Sequence, residues 1–401
     1  MIKKVAKKIF RKIDPSDKGR IRRLMKSPPD IRPDEIVFVS SDDYTGNPKA
    51  LFLYMIEHGY NERYKITWLF EKQKNLFEFD IPNVRSVLLW KKNGERTAAA
   101  QEAIMRARYI FFSHNVNWCR SYREGQTFID LWHGCGYKNN IEGDKKVIKF
   151  DYVMVTGKAY IDVFKKVMKK PDAKVLDLGY PRNESFFTTK SNAPAMLAEM
   201  KKEAGADKAI MWLPTYRKSV FSRLDTDTGK EGETGLPLLY TMDDLRTFDC
   251  ICRDKGVLVI LKQHILAKDY GADVESFRNI RFLNDKILHQ KDADLYEMLG
   301  VADALLTDYS SVATDYLLAD RPMGFTMDDF EEYKAARGFC FDNVKDYMPG
   351  HHIFNMDDLA QFVTDVAEEK DPHAEWRARI MPEIHTYKDG FSKRILEYFG
   401  I

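Results

Sequence analysis

The chain has 401 residues, more than the roughly 100–200 that one core ordinarily encloses, so two domains are expected. Its 44% hydrophobic content fits a globular protein, and no stretch approaches the about 18 uninterrupted apolar residues of a membrane-crossing helix. Five cysteines (Cys119, Cys135, Cys250, Cys252 and Cys340) show neither disulfide-framework nor zinc spacing and follow no secretory signal, which points to a reducing cytoplasm.

The net charge of +2 is unevenly placed. Residues 1–26 carry eleven Lys or Arg against Asp14 and Asp17, a charge of +9 that leaves −7 for the remainder. Ile2, Val5, Ile9 and Ile13, with Phe10 beside them, recur at helical spacing and leave the lysines on the opposite face. The spacing predicts a basic amphipathic helix over 1–27 that lies on an anionic membrane surface, each lysine contributing roughly 1 kcal/mol near the headgroups. A solvated basic tail packed on its own domain is the plain alternative. Aromatic-interleaved basic strands do not follow, so no nucleic acid partner is expected.

From Pro28 onward, short β-branched runs alternate with longer helical patterns, the signature of parallel sheets with crossover helices. Strands are predicted near 36–40, 66–70, 84–89, 109–113, 128–132, 152–156 and 175–178. A polar, Lys/Ala-rich stretch over about 188–207 interrupts the rhythm, and strands resume at 209–213, 257–262, 280–283, 304–307 and 322–326. The expected fold is α/β, with two Rossmann-like domains, 28–190 and 191–390, facing a central cleft, and a terminal helix over 391–401. That last segment also alternates apolar and basic residues, a second candidate for membrane contact. Open parallel sheets bind ligands beyond the carboxyl ends of their strands, so the candidate residues are sought there.

In Asp130-Leu-Trp-His133-Gly134-Cys-Gly136-Tyr-Lys138 an apolar strand runs into a histidine and two glycines. Such an imidazole can serve as general base toward a hydroxyl, and Lys138 adds anion-binding character. Leu261-Lys262-Gln-His264 repeats the pattern in the second half, where Lys262 and His264 can neutralise charge on a phosphoryl oxygen. Either histidine can equally be structural. In Thr307-Asp308-Tyr309-Ser310-Ser311, with Asp315 one turn inside the following helix, serine hydroxyls and unpaired amides can cradle phosphate or merely cap the helix. Arg217 after Pro214-Thr215 and Arg182 in Gly179-Tyr-Pro181-Arg182 offer planar forks for phosphate, or surface ion pairs. Ser40-Ser-Asp-Asp-Tyr-Thr-Gly46-Asn47-Pro48 suits an acceptor pocket or an ordinary turn. No phosphate loop, His-Glu-x-x-His, Gly-x-Ser-x-Gly or dinucleotide fingerprint is present. Asp225-Thr-Asp227 lies in a Gly-rich loop without a preceding strand, so neither metal nor cofactor is expected.

Taken together over residues 35–395, these motifs resemble the CDP-glycerol glycerophosphotransferase family of teichoic acid and capsule-type polymerases and primases. The likeness rests on Gly46-Asn-Pro48, Leu131-Trp-His-Gly134, Gly179-Tyr-Pro-Arg182, Pro214-Thr-Tyr-Arg217, Leu261-Lys-Gln-His264, Thr307-Asp-Tyr-Ser-Ser-Val312 with Asp315, Glu331-Glu-Tyr333 with Arg337-Gly-Phe339, and Asp389-Gly390. It implies a glycosyltransferase-B-like architecture, a CDP-glycerol or CDP-ribitol donor, a polyprenyl-diphosphate-linked acceptor and peripheral attachment at the cytoplasmic face of the membrane. By the family pattern His133 deprotonates the acceptor and His264 contacts the donor diphosphate. Ser310 and Ser311 hold phosphate oxygens, with Arg217, Lys262 and Thr307 also on the donor side, while Asp315 hydrogen-bonds the glycerol. Asn47, Lys138 and Arg182 fall to the acceptor side. The family usually reads Thr-Pro-Leu-Lys where this chain has Cys135-Gly-Tyr-Lys138, and proline at Ile265. No large extra N-terminal region precedes the motifs, which points to a primase or short capsule-type enzyme. A glycosyltransferase using a nucleotide sugar is the alternative on the same architecture.

Overall fold

The computed structural model describes residues 17–41, 43–114, 123–139, 150–168, 174–215, 232–262 and 277–401. Within them the first sheet holds β1 (Arg32–Val39), β2 (Lys65–Phe70), β3 (Val84–Leu88), β4 (Ala107–Phe112), β5 (Thr127–Asp130), β6 (Tyr152–Met154) and β7 (Lys174–Leu176), ordered β3-β2-β1-β4-β5-β6-β7. The second holds β8 (Lys208–Trp212), β9 (Val257–Lys262), β10 (Ile280–Leu283), β11 (Ala304–Thr307), β12 (Met323–Thr326) and β13 (His351–Ile353), ordered β10-β9-β8-β11-β12-β13. Neighbouring strands run parallel in both. The helices are α1 (Asp17–Lys26), α2 (Gly46–Glu57), α3 (Ala98–Arg106), α4 (Ala159–Met168), α5 (Ala193–Ala204), α6 (Met242–Asp254), α7 (Asp285–Gln290), α8 (Leu295–Val301), α9 (Val312–Tyr316), α10 (Phe330–Ala336), α11 (Met356–Ala367), α12 (Ala374–Ile384) and α13 (Phe391–Phe399).

Central strands covered on both faces read as continuous apolar runs, and Ile36–Val39 and Val257–Leu261 are buried throughout. Phe38 stacks on Trp68 and Phe111, its partners on the flanking strands. Turn chemistry sets the helix starts: Thr97 accepts from the Ala100 amide, and Thr241 and Asp244 cap α6 reciprocally. The polar stretch around 188–207 contains α5, stopped by Gly205 at φ +64°. β13 is absent from the predicted strands because His351-His352-Ile353 has a single buried apolar residue and no alternation to follow.

The chain end returns to the first sheet. α13 buries Phe391, Ile395 and Leu396, Tyr109 Oη donates to the Phe399 carbonyl at 3.0 Å, and Ser392 bonds Glu184. The face with Phe391, Ile395 and Leu396 is thus covered by protein, while Tyr398 stays exposed. Residues 1–16 lie outside the described residues. α1 sits on α3, held by a buried Asp17 and Lys91 pair at 2.9 Å and by Lys18 to Glu95 at 2.6 Å. Arg22, Arg23 and Lys26 stay exposed. Among the described residues no helix is long and apolar enough to cross a membrane.

Candidate active site

Strand order reverses beside β1 in the first sheet and beside β8 in the second, the places where such sheets gather ligands. Ser40 and Ser41 follow β1, Ser113 and His114 follow β4, and Leu131-Trp132-His133 follow β5. On the other side Thr215 follows β8 and Asp308 follows β11.

The His133 turn is built from its own backbone outward. Trp132 has φ +53°, and its amide donates to Asp130 Oδ1 at 2.8 Å. Asn47 Nδ2 donates to the Leu131 and Trp132 carbonyls, both at 3.0 Å, while Trp132 Nε1 donates to the Gly134 carbonyl at 3.0 Å. The His133 ring lies 3.8 Å from that of His114, 11° from coplanar, and 4.3 Å from the Trp132 ring. Its Nδ1 is buried and meets no hydrogen-bond partner. Burial first, then His114 and Arg182, hold the imidazole well below its ordinary value, so it is neutral at physiological pH and able to take a proton.

Around this turn the two halves join. A side chain on Gly134 would collide with Ser311 and one on Gly136 would crowd it, so the glycines permit the close approach. Thr314 Oγ1 donates to the Cys135 carbonyl. Arg182 extends one arm to the His133 carbonyl at 2.9 Å and the other to Asp315 Oδ2 at 2.7 Å. Asp315 is fully buried and also accepts from Asn183 Nδ2 at 3.0 Å and Tyr296 Oη at 2.7 Å. The Arg182 amide donates to Asn47 Oδ1 at 3.2 Å. Asn47, Arg182 and Asp315, which the sequence pattern assigns to the ligands, thus also bind one another's surroundings and link the two halves around the His133 turn.

The second-half residues divide. Thr307 is buried, its hydroxyl donating to the Leu213 carbonyl at 2.7 Å, which ties β11 to β8 and withdraws it from the cleft. Asp308 accepts from the Thr215 amide at 2.7 Å and hydroxyl at 2.5 Å. Lys138 Nζ reaches Thr215 Oγ1 at 3.1 Å, which brings this lysine of the first half against the end of β8. Lys262 pairs with Asp285 at 2.9 Å. Ser310 and Ser311 are half-buried; Ser311 begins α9 without a side-chain cap bond, and α9 has just five residues before a 3₁₀ turn over Leu317–Ala319. A helix thus starts after Ser311 as the pattern predicts, though a short one, and the Ser311 hydroxyl faces the glycine turn. Arg217, His264 and the Asp225/Asp227 pair lie outside the described residues. Among those described, no group of three or more His, Cys, Asp or Glu could hold a metal ion.

His114 and Tyr296 were not singled out from sequence, and Thr215 and Asp308 stood inside quoted motifs without a role of their own. His114 had the same signal as His133, an apolar strand (Tyr109-Ile-Phe-Phe) ending in Ser113-His114. The others act through partners distant in sequence.

The family model described as CDP-Glycerol:Poly(glycerophosphate) glycerophosphotransferase matches residues 21–399. The chain is 26% identical over 351 residues to the teichoic acid poly(glycerol phosphate) polymerase of Staphylococcus epidermidis, covering 80% of this chain and 44% of that protein. To the teichoic acid glycerol-phosphate transferase of Staphylococcus aureus it is 25% identical over 388 residues, covering 88% of this chain and 89% of that one. The chain thus spans less than half of the first relative and most of the second. The solved structure of the wall teichoic acid polymerase TagF superposes with a TM-score of 0.70 over 96% of this chain and 93% of that chain at 22% identity, which establishes the two-sheet fold.

Proposed function

Because the chain belongs to the CDP-glycerol:poly(glycerophosphate) glycerophosphotransferase family, we propose that it moves glycerol phosphate, or ribitol phosphate, from the CDP ester to a hydroxyl of a lipid-linked glycan or growing polyol-phosphate chain, releasing CMP. Relatives named for both polyols support either donor. The product is a teichoic acid or capsule-type polymer, made at the cytoplasmic face of the membrane.

The observation that carries this reading is the half-buried His133 imidazole at a strand end beside the joint of the two halves, its Nδ1 enclosed and without a partner among the described residues. In the reaction the acceptor oxygen attacks the phosphorus that bears the polyol, and its proton passes to His133. A new oxygen–phosphorus bond forms as the bridging bond of the diphosphate breaks, and CMP leaves with the bridging oxygen. Lys138 over Thr215, with the hydroxyls of Ser310 and Ser311, suits the charge that builds on the phosphoryl oxygens. His264, Arg217 and Lys262 complete the donor side by the sequence pattern. In-line transfer of this kind is mostly a matter of positioning and charge stabilisation, which fits a site whose frame is a buried hydrogen-bonded joint.

Incubation with CDP-glycerol or CDP-ribitol and a lipid-linked disaccharide should release CMP and extend the lipid. No CMP from either donor, together with thermal protection by UDP-sugars in place of CDP-polyols, would overturn the reading in favour of sugar transfer.

A further inference from the structure

A histidine that serves as base is usually oriented through its second nitrogen, by a carboxylate or carbonyl that fixes tautomer and ring plane. His133 lacks this device: its Nδ1 is buried without a hydrogen-bond partner. Two rings contact it instead: Trp132, tilted by 31° at 4.3 Å, and another imidazole, His114, face to face at 3.8 Å and 11°. We propose that His114 is a positioning residue that sets the plane of the His133 ring by stacking, in place of the missing hydrogen bond; this rests on the reading of His133 as the base.

His114 is itself held firmly enough for the task. Its backbone adopts φ +69°, a left-handed conformation that a non-glycine residue keeps when its surroundings impose it. Its Nδ1 lies 3.2 Å from both Ser41 Oγ, beyond β1, and Ser113 Oγ, beyond β4. The stack is therefore anchored to the two strands at the reversal of the first sheet. It also leaves Nδ1, on the ring's edge, without an orienting partner among the described residues.

The charged and titratable groups around His133 agree with a neutral base. His114 and the Arg182 guanidinium oppose a positive charge on it, and burial opposes it more strongly than either. Asp130, on the same strand, gives its Oδ1 to the Trp132 amide, and burial pushes its carboxyl well above the usual range. Among the described residues no carboxylate is recorded that stabilises an imidazolium at His133, and the stack covers one face of the ring.

Two substitutions separate stacking from mere space-filling. His114→Asn tolerates the left-handed backbone but cannot stack; His114→Phe restores a ring without a titratable group. In CMP release from CDP-glycerol, H114N is expected to lose about tenfold or more in kcat with KM for the donor within about twofold, and H114F to recover most of that loss. In a histidine carbon–proton resonance titration, His133 should titrate closer to its ordinary value in H114N than in the wild type, since both the opposing charge and the cover are removed. Wild-type kcat in H114N with an unmoved His133 resonance overturns the proposal, and so does H114F as slow as H114N. If the wild type makes no CMP from either CDP-polyol, the transfer reading fails, while the resonance titration still decides whether the stack governs His133.

Discussion

Arg182 and Asp315 come from opposite halves of the molecule and meet at 2.7 Å, with the carboxylate fully enclosed and the guanidinium's other arm on the His133 carbonyl. A buried pair of this kind contributes little net stability over an apolar pair, but breaking it leaves an uncompensated charge. Asp315→Ala strands Arg182 and removes the acceptor of Asn183 and Tyr296, and is expected to cost about 3–5 kcal/mol. Urea unfolding checks this. Arg182→Lys should not rescue the joint, because an ammonium cannot present two directed arms to the His133 carbonyl and Asp315 together. An Asp315→Ala protein with a wild-type midpoint would show that the halves are held by other contacts.

The approach of Ser311 to the glycine turn gives a second test. Gly134 has φ +145°, and an added Cβ would fall 2.9 Å from Ser311 Cβ and nearer still to its hydroxyl. Gly134→Ala should push the His133 turn off Ser311 and reduce CMP release by about tenfold or more, since small displacements of positioned groups cost that much. Gly19→Ala in α1 meets nothing within 4 Å, so it should stabilise by about 0.5–1 kcal/mol and leave turnover unchanged. Equal turnover in the two variants would separate the glycine turn from the chemistry.

pH dependence follows from the imidazoles of His133 and His385. His133 must be neutral to act as base, so the acid limb of CMP release should lie below the ordinary histidine value of about 6.5. His133→Ala should lower turnover by about a hundredfold or more. A limb at or above that value would argue against His133 as base.

His385 supplies the stability counterpart. It is buried, with Nε2 2.7 Å from the Thr314 carbonyl, and burial holds it below its ordinary value. The unfolded chain binds the proton more tightly, so its contribution is fully present above about pH 6.5 and is lost as pH falls toward the folded value. Each unit of depression corresponds to about 1.4 kcal/mol. His385→Gln keeps a donor for Thr314 and cannot titrate. Its urea midpoint should fall less between pH 7 and 5 than that of the wild type, with the carboxylates common to both cancelling in the difference. Parallel midpoints would remove His385 from the acid sensitivity.

Most of the fold was legible because the central strands, such as Ile36–Val39 and Val257–Leu261, are continuous apolar runs, and such runs need no distant partner to be recognised. β13 was not, since its pairing with β12 depends on Gly324 and Phe325 already being in place. The strand-end motifs singled out His133 and Ser311 because local sequence shows an apolar strand stopping there, at a glycine turn after His133 and at a short helix after Ser311. What those residues touch was less visible. Asp315 sits one turn after Ser311 in a pattern that reads as a ligand contact, yet its partners Arg182, Asn183 and Tyr296 are 133, 132 and 19 positions away. Lys138 likewise adjoins His133 in sequence but reaches Thr215, 77 positions on. Spacing reports the face a residue shares with its neighbours, and only the fold decides which half it meets.

The basic terminus divides at Asp17. Its carboxylate is enclosed against Lys91, and Lys18 and Arg20 face Glu95 and Glu102, so α1 is part of the first domain's surface. If the chain attaches to a membrane as proposed, attraction to anionic headgroups falls to the lysines before it, with Arg22, Arg23 and Lys26 as an exposed supplement. Removing residues 2–16 takes away Lys3, Lys4, Lys7, Lys8, Arg11 and Lys12, with the Ile/Phe stripe between them. Vesicle sedimentation should drop steeply at low salt, because each cation near such a surface contributes about 1 kcal/mol, while thermal unfolding stays unchanged. Extending the deletion through residue 26 should instead lower the unfolding temperature, since Lys91 loses its buried partner. The charge reversal Arg22→Glu and Arg23→Glu in the full chain tests the supplement alone: it should weaken sedimentation by a smaller step and leave Asp17 and Lys91 intact. If the 2–16 deletion sediments with anionic vesicles as well as the full chain, attachment belongs to another surface, and the amphipathic stripe of residues 2–13 has no membrane role.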